Sequence, residues 1–375
     1  MSYVDPYLSD TSKPTAEVES WQTNATDRVL AAQGQQQMRQ GQWLRQIKLT
    51  VYGDGKSDSS GLDLSQMRVN FSVRKTNYAS PNLLKARVYN LSKPPGPNTV
   101  GKVKQYKRVQ LAAGYLGENS LTMIFDGTVL LYIVGKENPV DSYVEILAGD
   151  ADPALNHGFA ALNWPAGSTP SQRTKDKLNA AKIPVGEVQP AKGEQKSIRA
   201  QSYIGMVDKG VRIETNATQS DFWMDDGKAY VIPWSGYRKG EIVELSPATG
   251  LVGIPKVTPN GIEALCLLNP KLRLGGLVHI KTDLLSDVPF VPGSKEAFAG
   301  PSFTPSAEGG ANFTYAAAAV NPEGYYKIML LDHYGDTRGN EWNSAITGVA
   351  SGKNGELLEG TYPGTSLVRT REEPK

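Results

Sequence analysis

The sequence predicts a mainly β protein with a smaller α/β part: two small β-barrel domains joined by an α/β middle domain, with an extended N-terminal arm. Three observations carry this reading. Residues 45–150 alternate apolar and polar positions with a period of two, broken by turns. A second pair of β-patterned segments, Gly250–Thr282 and Gly324–Ala350, flanks a stretch, Leu284–Pro322, rich in Pro, Gly, Ser and Ala. The chain also holds 38 glycines and 24 prolines in 375 residues, more than ordinary usage, as many short strands joined by turns require.

Residues 1–44 form the arm. They are polar, include AAQGQQQMRQGQW, and offer few apolar anchors before Trp43. Asp27–Arg39 can make a short helix, but the arm alone is expected to be mobile. Trp21 and Trp43 point to docking on a neighbour. The first barrel spans 45–150. Ile47, Leu49 and Val51 alternate with Lys48 and Thr50, and Val69, Phe71 and Val73 share one face of Met67–Lys75. Leu84–Leu91, Val109–Tyr115, Met123–Tyr132 and Tyr143–Ala148 complete the set. Gly114–Asn119 reads as a hairpin turn.

The middle domain spans 151–245. Asp152–Leu162, Ser171–Lys182 and Ile198–Lys209 are expected to be helical, with Thr169 or Ser171 capping the second and Pro170 in its first turn. A hairpin follows: Asp221–Met224, the turn Asp225-Asp226-Gly227, then Ala229–Trp234. The Asp-Gly step suits a turn needing positive φ. The second barrel spans 246–352, with turns at Asn260-Gly261, Asn269-Pro270 and Gly275-Gly276 and a long loop at 284–322. A polar tail, 353–375, closes the chain.

Forty basic residues against 38 acidic ones leave a formal charge of +2. This argues against a dedicated nucleic-acid binder, though not against a channel that DNA passes through. No stretch approaches the roughly 18–20 apolar residues of a membrane span. The start, MSYVDPYLSD, lacks the basic and apolar regions of a signal peptide, so folding in a cytoplasm is expected. The single cysteine, Cys266, lies in an apolar run and reads as a small buried hydrophobe.

Catalytic or metal-binding constellations are weak. His157, His279 and His333 are far apart, with no helix-face metal spacing and no cysteine partners. Asp332-His333 followed by Asp336 resembles a general-base arrangement. Strand alternation instead puts Asp332 and His333 on opposite faces, with Asp336–Asn340 as a turn. Asp225 and Asp226 are the candidate carboxylate pair for glycoside hydrolysis, but a hairpin turn is where solvated acids are ordinary. No phosphate-cradling GxxxxGK[ST] occurs. The run Lys102–Arg108 is basic, with Tyr106 among it, and reads first as a solvated loop face. We therefore assign no catalytic, cofactor-binding or metal residue and no cofactor.

The segments LTVYG, GLDLSQMRVNFSVRKTNYASPNLLKARVYNLS, RVQLAAGY and MIFDGTVLLYIVGKENPVDSYVEILAGDAD, within Leu49–Asp152, resemble the N-terminal barrel of phage tail baseplate hub proteins. The resemblance continues through GSTPSQRTKDKLN at Gly167–Asn179 and SPATGLVGIPKVTPNGIEALCLLNPKLRLGG at Ser246–Gly276. It ends with HYGDTRGNEWNSAITGVA at His333–Ala350, so it covers about 45–350 in order. It implies a structural, non-enzymatic subunit of the virion tail baseplate, assembled in the host cytoplasm. It further implies a homotrimer whose two tube-like barrels per chain make a pseudo-sixfold ring. Such a ring adapts a sixfold tail tube to a threefold spike and lines a DNA channel for genome ejection. The tail tube protein, the spike or puncturing protein, tape-measure and baseplate-wedge proteins are the implied partners; DNA would pass without specific binding. The arm and loop 284–322 depart from the simplest form of the family. Two rival readings stand beside this one. One is a tail-associated cell-wall hydrolase. The other is a host-surface binding protein using Phe290, Phe298, Phe303, Phe313 and Tyr315 of the loop.

Overall fold

Alternation governs the first third of the structure. This computed structural model describes residues 44–52, 61–77, 81–91, 103–115, 121–150, 157–258, 261–281, 302–305, 311–314 and 324–353. The first β-patterned stretch forms β1 (Arg45–Val51), β2 (Leu62–Asp63), β3 (Val69–Thr76), β4 (Leu83–Tyr89), β5 (Arg108–Tyr115), β6 (Thr122–Lys136) and β7 (Ser142–Gly149). Their inward positions, among them Leu49, Phe71, Val73, Ala86, Leu111 and Ile146, make one buried cluster. Each strand offers one apolar face, and burying that face is the main gain. β6 runs four residues beyond the expected end at Tyr132 because β7 pairs with it as far as Lys136. The expected turn at Gly114–Asn119 lies mostly outside the described residues, as do the arm to residue 43, the tail from 354 and most of the loop 284–322.

The middle part differs from expectation in two places. Phe159–Trp164 is a strand, β8, and Gln201–Met206 is its antiparallel partner, β10, where helices were expected over Asp152–Leu162 and Ile198–Lys209. Residues 151–156 lie outside the described set. The reason is period: Ala160, Leu162 and Trp164 turn inward while Phe159, Ala161 and Asn163 turn out, and a short apolar run fits either period until packing chooses. The expected helix at Ser171–Lys182 forms as α1 (Pro170–Ala180), with Thr169 at the N-cap accepting from the Gln172 N–H and Pro170 opening the helix. A second helix, α2 (Val207–Ala217), starts nine residues later than expected, at the end of β10. The hairpin β11 (Ser220–Asp225) and β12 (Lys228–Pro233) forms around a two-residue turn. Asp226 and Gly227 take φ of 52° and 73°, the doubly left-handed turn that Asp-Gly favours. A short strand, β9 (Val185–Val188), adds parallel to β12. The helices pack on Phe222, Met224 and Val231, while Trp223, Tyr230 and Ile232 face the other way, against Leu274.

The last part forms β13 (Val243–Leu245), a 3-10 turn at Pro247–Thr249 capped by Ser246, β14 (Leu251–Thr258), β15 (Gly261–Leu267) and β16 (Leu277–Ile280). It ends with β19 (Tyr325–Asp336) and β20 (Trp342–Ala350); inside the 284–322 stretch, β17 (Ser302–Pro305) and β18 (Ala311–Thr314) pair with each other. Its own core includes Ile262, Ile280, Tyr326, Ile328 and Ile346.

The two β-rich parts share one sheet. Its strand order is β14-β15-β20-β19-β3-β4-β7-β6-β5-β1-β2, with β16 also on β19 and β13 on β16. The seam is β19 against β3, antiparallel from Leu330↔Thr76 to Asp336↔Asn70. The same pairing scheme occurs twice. β1, β3, β4, β5, β6 and β7 pair as 3–4, 4–7, 7–6, 6–5 and 5–1; β13, β14, β15, β16, β19 and β20 pair as 14–15, 15–20, 20–19, 19–16 and 16–13. Only the last pair differs in sense, antiparallel in the first set and parallel in the second. One register break also corresponds, between Val129 and Leu131 in β6 and between Ile328 and Leu330 in β19, while those at Leu111/Ala112 and Val252/Lys256 have no counterpart. Among the described residues no helix is long and apolar enough to cross a membrane.

Candidate functional site

The centre of the molecule is a buried ionic cluster where all three parts meet. Alternation along β3 points Phe71, Val73 and then Lys75 inward, so Lys75 is carried into the core. Its ammonium lies 2.5 Å from Asp225 and 3.0 Å from Asp226 of the middle hairpin. Arg238, just beyond that hairpin, reaches Asp225 at 2.6 Å, and Arg273 of the last part reaches Asp226 at 3.2 Å. Asp150, at the end of β7, accepts the Gly227 N–H at 2.8 Å, and Asn82 donates to the Met224 carbonyl. Three cations and three carboxyls gather here, with Lys75, Asp150 and Asp225 buried and Arg273 partly exposed.

Burial penalises every charge here, and the neighbours decide which survive. Burial pushes Asp225 up, but Lys75 and Arg238 overrule it and hold the carboxyl down at about 2. Burial pulls Lys75 down, but Asp225 and Asp226 outweigh it and raise the ammonium. Among the described residues Asp150 forms no ion pair, and burial first, then Asp225 nearby, raises it to about 7 against the weaker pull of Gly227 and Lys75. Asp226 is also raised, by burial first. The cluster orients the hairpin against both β-rich parts, which is the best attested use of buried ion pairs.

The candidate residues read from sequence fall as follows. Asp225 and Asp226 are not solvated turn acids: Asp225 is fully buried and both are ion-paired. The turn itself is as expected, but it is driven into the interface between parts. His333 faces inward, its Nδ1 2.7 Å from Ser344 Oγ, and burial pushes it down to about 3, so it stays neutral. Asp332 faces outward against Arg74 at 3.0 Å. Asp336 pairs with Arg68 at 2.8 Å and accepts the Arg338 and Gly339 N–H groups of its turn. Cys266 is buried, donates to the Ser344 carbonyl, and has its thiol pushed up to about 12 by burial. His157 is exposed and His279 lies against Tyr325, so the three histidines do not meet. Among the described residues no group of three or more His, Cys, Asp and Glu is arranged to hold a metal. Within Lys102–Arg108, Lys102 lies outside the described residues and Arg108 is paired with Asp126 at 2.6 Å.

Lys75, Asp150, Arg238 and Arg273 were not singled out from the sequence. The signal existed for Lys75, an ionic residue at an inward position of an alternating strand. A second buried trio was also missed: Glu214 of α2 holds Arg173 at 2.7 Å and Lys177 at 2.8 Å, both from α1.

The outer face of the shared sheet is largely polar over β19, β3 and β4, and carries exposed Leu131 and Ile133 further along, on β6. Cross-strand partners place Asp332, Arg74 and Leu83 in one row, Tyr334, Ser72 and Lys85 in the next, and Asp336, Asn70, Arg87 and Glu145 in a third. Glu145 pairs with Arg87 at 2.7 Å and with Lys85 at 3.3 Å.

The described residues thus form a duplicated β-sheet scaffold clasped by buried ion pairs. The family is given by the sequence. Residues 83–288, just over half of the chain, match the model of the baseplate hub gp41 family, and the chain belongs to that family. It is a structural protein of the phage tail baseplate. The chain is similar in structure to the tail protein from Neisseria meningitidis MC58, at 9% identity and a TM-score of 0.49, over 86% of this chain and 100% of that one. It is similar to the 43 kDa tail protein of prophage MuSo2 from Shewanella oneidensis, at 9% identity and a TM-score of 0.48, over 81% and 98%. A third similar structure is the E. coli c3393 protein, a type VI secretion system component, at 11% identity and a TM-score of 0.45, over 79% and 77%. No curated protein matches the chain.

Proposed function

We propose that this chain forms a trimeric hub ring with pseudo-sixfold symmetry, which adapts the sixfold tail tube to the threefold spike and lines a channel for DNA. The observation that carries the proposal is the twice-used pairing scheme. Two like sheet units per chain, joined by β3 and β19, become six like units in three chains. On this reading the units are the barrels 45–150 and 246–352, and 151–245 is the domain between them. The tail tube protein, the spike, and tape-measure and wedge proteins are the partners, and assembly takes place in the host cytoplasm.

The polar face supports the channel. A lumen that passes DNA must not grip phosphates, and each phosphate contact adds affinity. The basic groups named on that face, Arg74, Lys85 and Arg87, each hold an acidic partner. The Leu284–Pro322 aromatics of the host-binding reading have no described side chains, and the candidate carboxylates of the hydrolase reading, Asp225 and Asp226, are held in ion pairs.

Light scattering on the full-length chain, with negative-stain images, tests the proposal. A ring of three chains is expected. A chain that stays monomeric even with tail partners present would sink it.

A further inference from the structure

Where the end of β3 meets β19 and the middle hairpin, a further group of buried polar side chains lies apart from the Lys75 cluster. Lys327 of β19 is buried, and its Nζ has no hydrogen-bond partner among the described residues. Asn77, just past β3, is also buried, and its Oδ1 is likewise without a partner. One carboxylate oxygen serves both side chains: Asp221 Oδ2 accepts the Asn77 amide N–H at 3.2 Å and lies 3.8 Å from Lys327 Nζ. The other Asp221 oxygen accepts from the Trp234 indole at 3.1 Å. The Asn77 backbone N–H donates to the Met329 carbonyl at 3.3 Å, which seats Asn77 beside β19 two residues from Lys327.

A buried ammonium is ordinarily surrounded by acceptors, and the other buried lysines of this chain are. Lys75 donates to two carboxylates, and Lys177 donates to Glu214 and the Gly210 carbonyl. Lys327 lacks such a shell. Burial pulls its ammonium down, with Asp221 opposing, and so favours the free amine. A free amine shielded from water is a nucleophile. A carboxylate in reach of both nitrogens can take protons from one and deliver them to the other.

We propose that Lys327 Nζ and Asn77 Cγ join in an intramolecular amide bond, with Asp221 moving the protons, so that a covalent bridge ties β19 to the end of β3. Asp221 takes a proton from the Lys327 ammonium, and the freed electron pair attacks Asn77 Cγ to form the Nζ–Cγ bond. The Cγ–Nδ2 bond then breaks. Nζ keeps one of its three protons, and the two it loses pass through Asp221 to Nδ2, which departs as ammonium. Asp221 ends unchanged and no oxidant or other reactant is needed. The three groups meet only in the folded chain, so the bond follows folding. It closes a loop from residue 77 to residue 327 and restricts the unfolded chain as a disulfide would.

Mass spectrometry of the denatured full-length chain, after the folded protein has been incubated to constant mass, tests this. The chain is expected to be about 17 Da lighter than its sequence, the mass of the ammonia lost. Trypsin should no longer cut after Lys327, and should release residues 76–85 joined to residues 296–338 as one branched peptide. Asp221→Asn retains both reacting groups and is expected to keep its full mass. Lys327→Met, which cannot form the bond, is the unlinked control. A parent chain of full mass, cut after Lys327 and yielding residues 76–85 alone, overturns the bond. So does a 17 Da loss without the branched peptide, which would mark ring closure of an asparagine on its own backbone. A branched peptide that persists in Asp221→Asn overturns the role given to Asp221.

Discussion

Two buried lysines in this protein have opposite worth. Lys75 is held by two carboxylates, whereas Lys327 is equally buried, has no hydrogen-bond partner for its Nζ among the described residues, and lies 3.8 Å from Asp221. Burial accordingly lowers the pKa of Lys327. Lys75→Met should cost about 3–5 kcal/mol, because it strands buried carboxylates. Relative to the chain before any Lys327–Asn77 bond forms, Lys327→Met should gain about 1–2 kcal/mol, because it removes an unsatisfied buried donor while Asn77 and Trp234 still donate to Asp221. Urea midpoints of the two variants check both signs. Asp150 sets a pH dependence. Its folded pKa, about 7, lies above the usual carboxylate value, so the folded state holds the proton more tightly. Its contribution therefore falls as pH rises from about 4 to 7, by up to about 4 kcal/mol. Asp150→Asn should flatten that fall and stabilise the protein at pH 8, as read from urea midpoints across pH. None of this was visible in residue identity alone. Asp225 and Asp226 look like ordinary turn acids in sequence, and only packing the turn against both β-rich parts makes them buried counter-ions.

At the scale of elements, local chemistry was legible where it was self-contained. The Asp-Gly turn, the Thr169 cap with Pro170, and the alternating strands of 45–150 all follow from nearest-neighbour rules. Two left-handed glycines separate backbone strain from crowding. Gly227, at φ 73°, has open space where a Cβ would go, so Gly227→Ala should cost only the conformational penalty, about 1–2 kcal/mol. Gly324, at φ 71°, would put its Cβ 2.2 Å from the Ile280 carbonyl, so Gly324→Ala should cost clearly more. Thermal melts of the pair check the order. The β8–β10 ribbon was misread as helix because Phe159–Trp164 and Gln201–Met206 are too short for periodicity to decide. Their inward residues pack on two helices, and that contact, rather than propensity, selected the strand.

At the scale of the molecule, the two β-rich parts share more than a seam. Trp342 and Leu268 of the last part belong to the core of the first, and the Trp342 ring meets Phe71 edge-on at 5.4 Å. Arg45, at the start of β1, donates to the Gly339 and Asn340 carbonyls of the β19–β20 turn. The parts should therefore unfold together. Phe71→Ala should cost about 3–5 kcal/mol and lower one shared transition, not split off a first-part transition. Near-UV and far-UV circular dichroism melts that separate would contradict this.

The sequence by itself determined the β-rich class, the strands of 45–150, the middle hairpin and the family, because period, turn chemistry and residue order are local properties of a chain. Only the tertiary structure decided that the two β-rich parts are one sheet and that Lys75 and Asp225 meet where the parts join. Strand partners and buried ion pairs join residues some 150 to 260 positions apart, and no pattern along the chain encodes which distant edge a strand will meet.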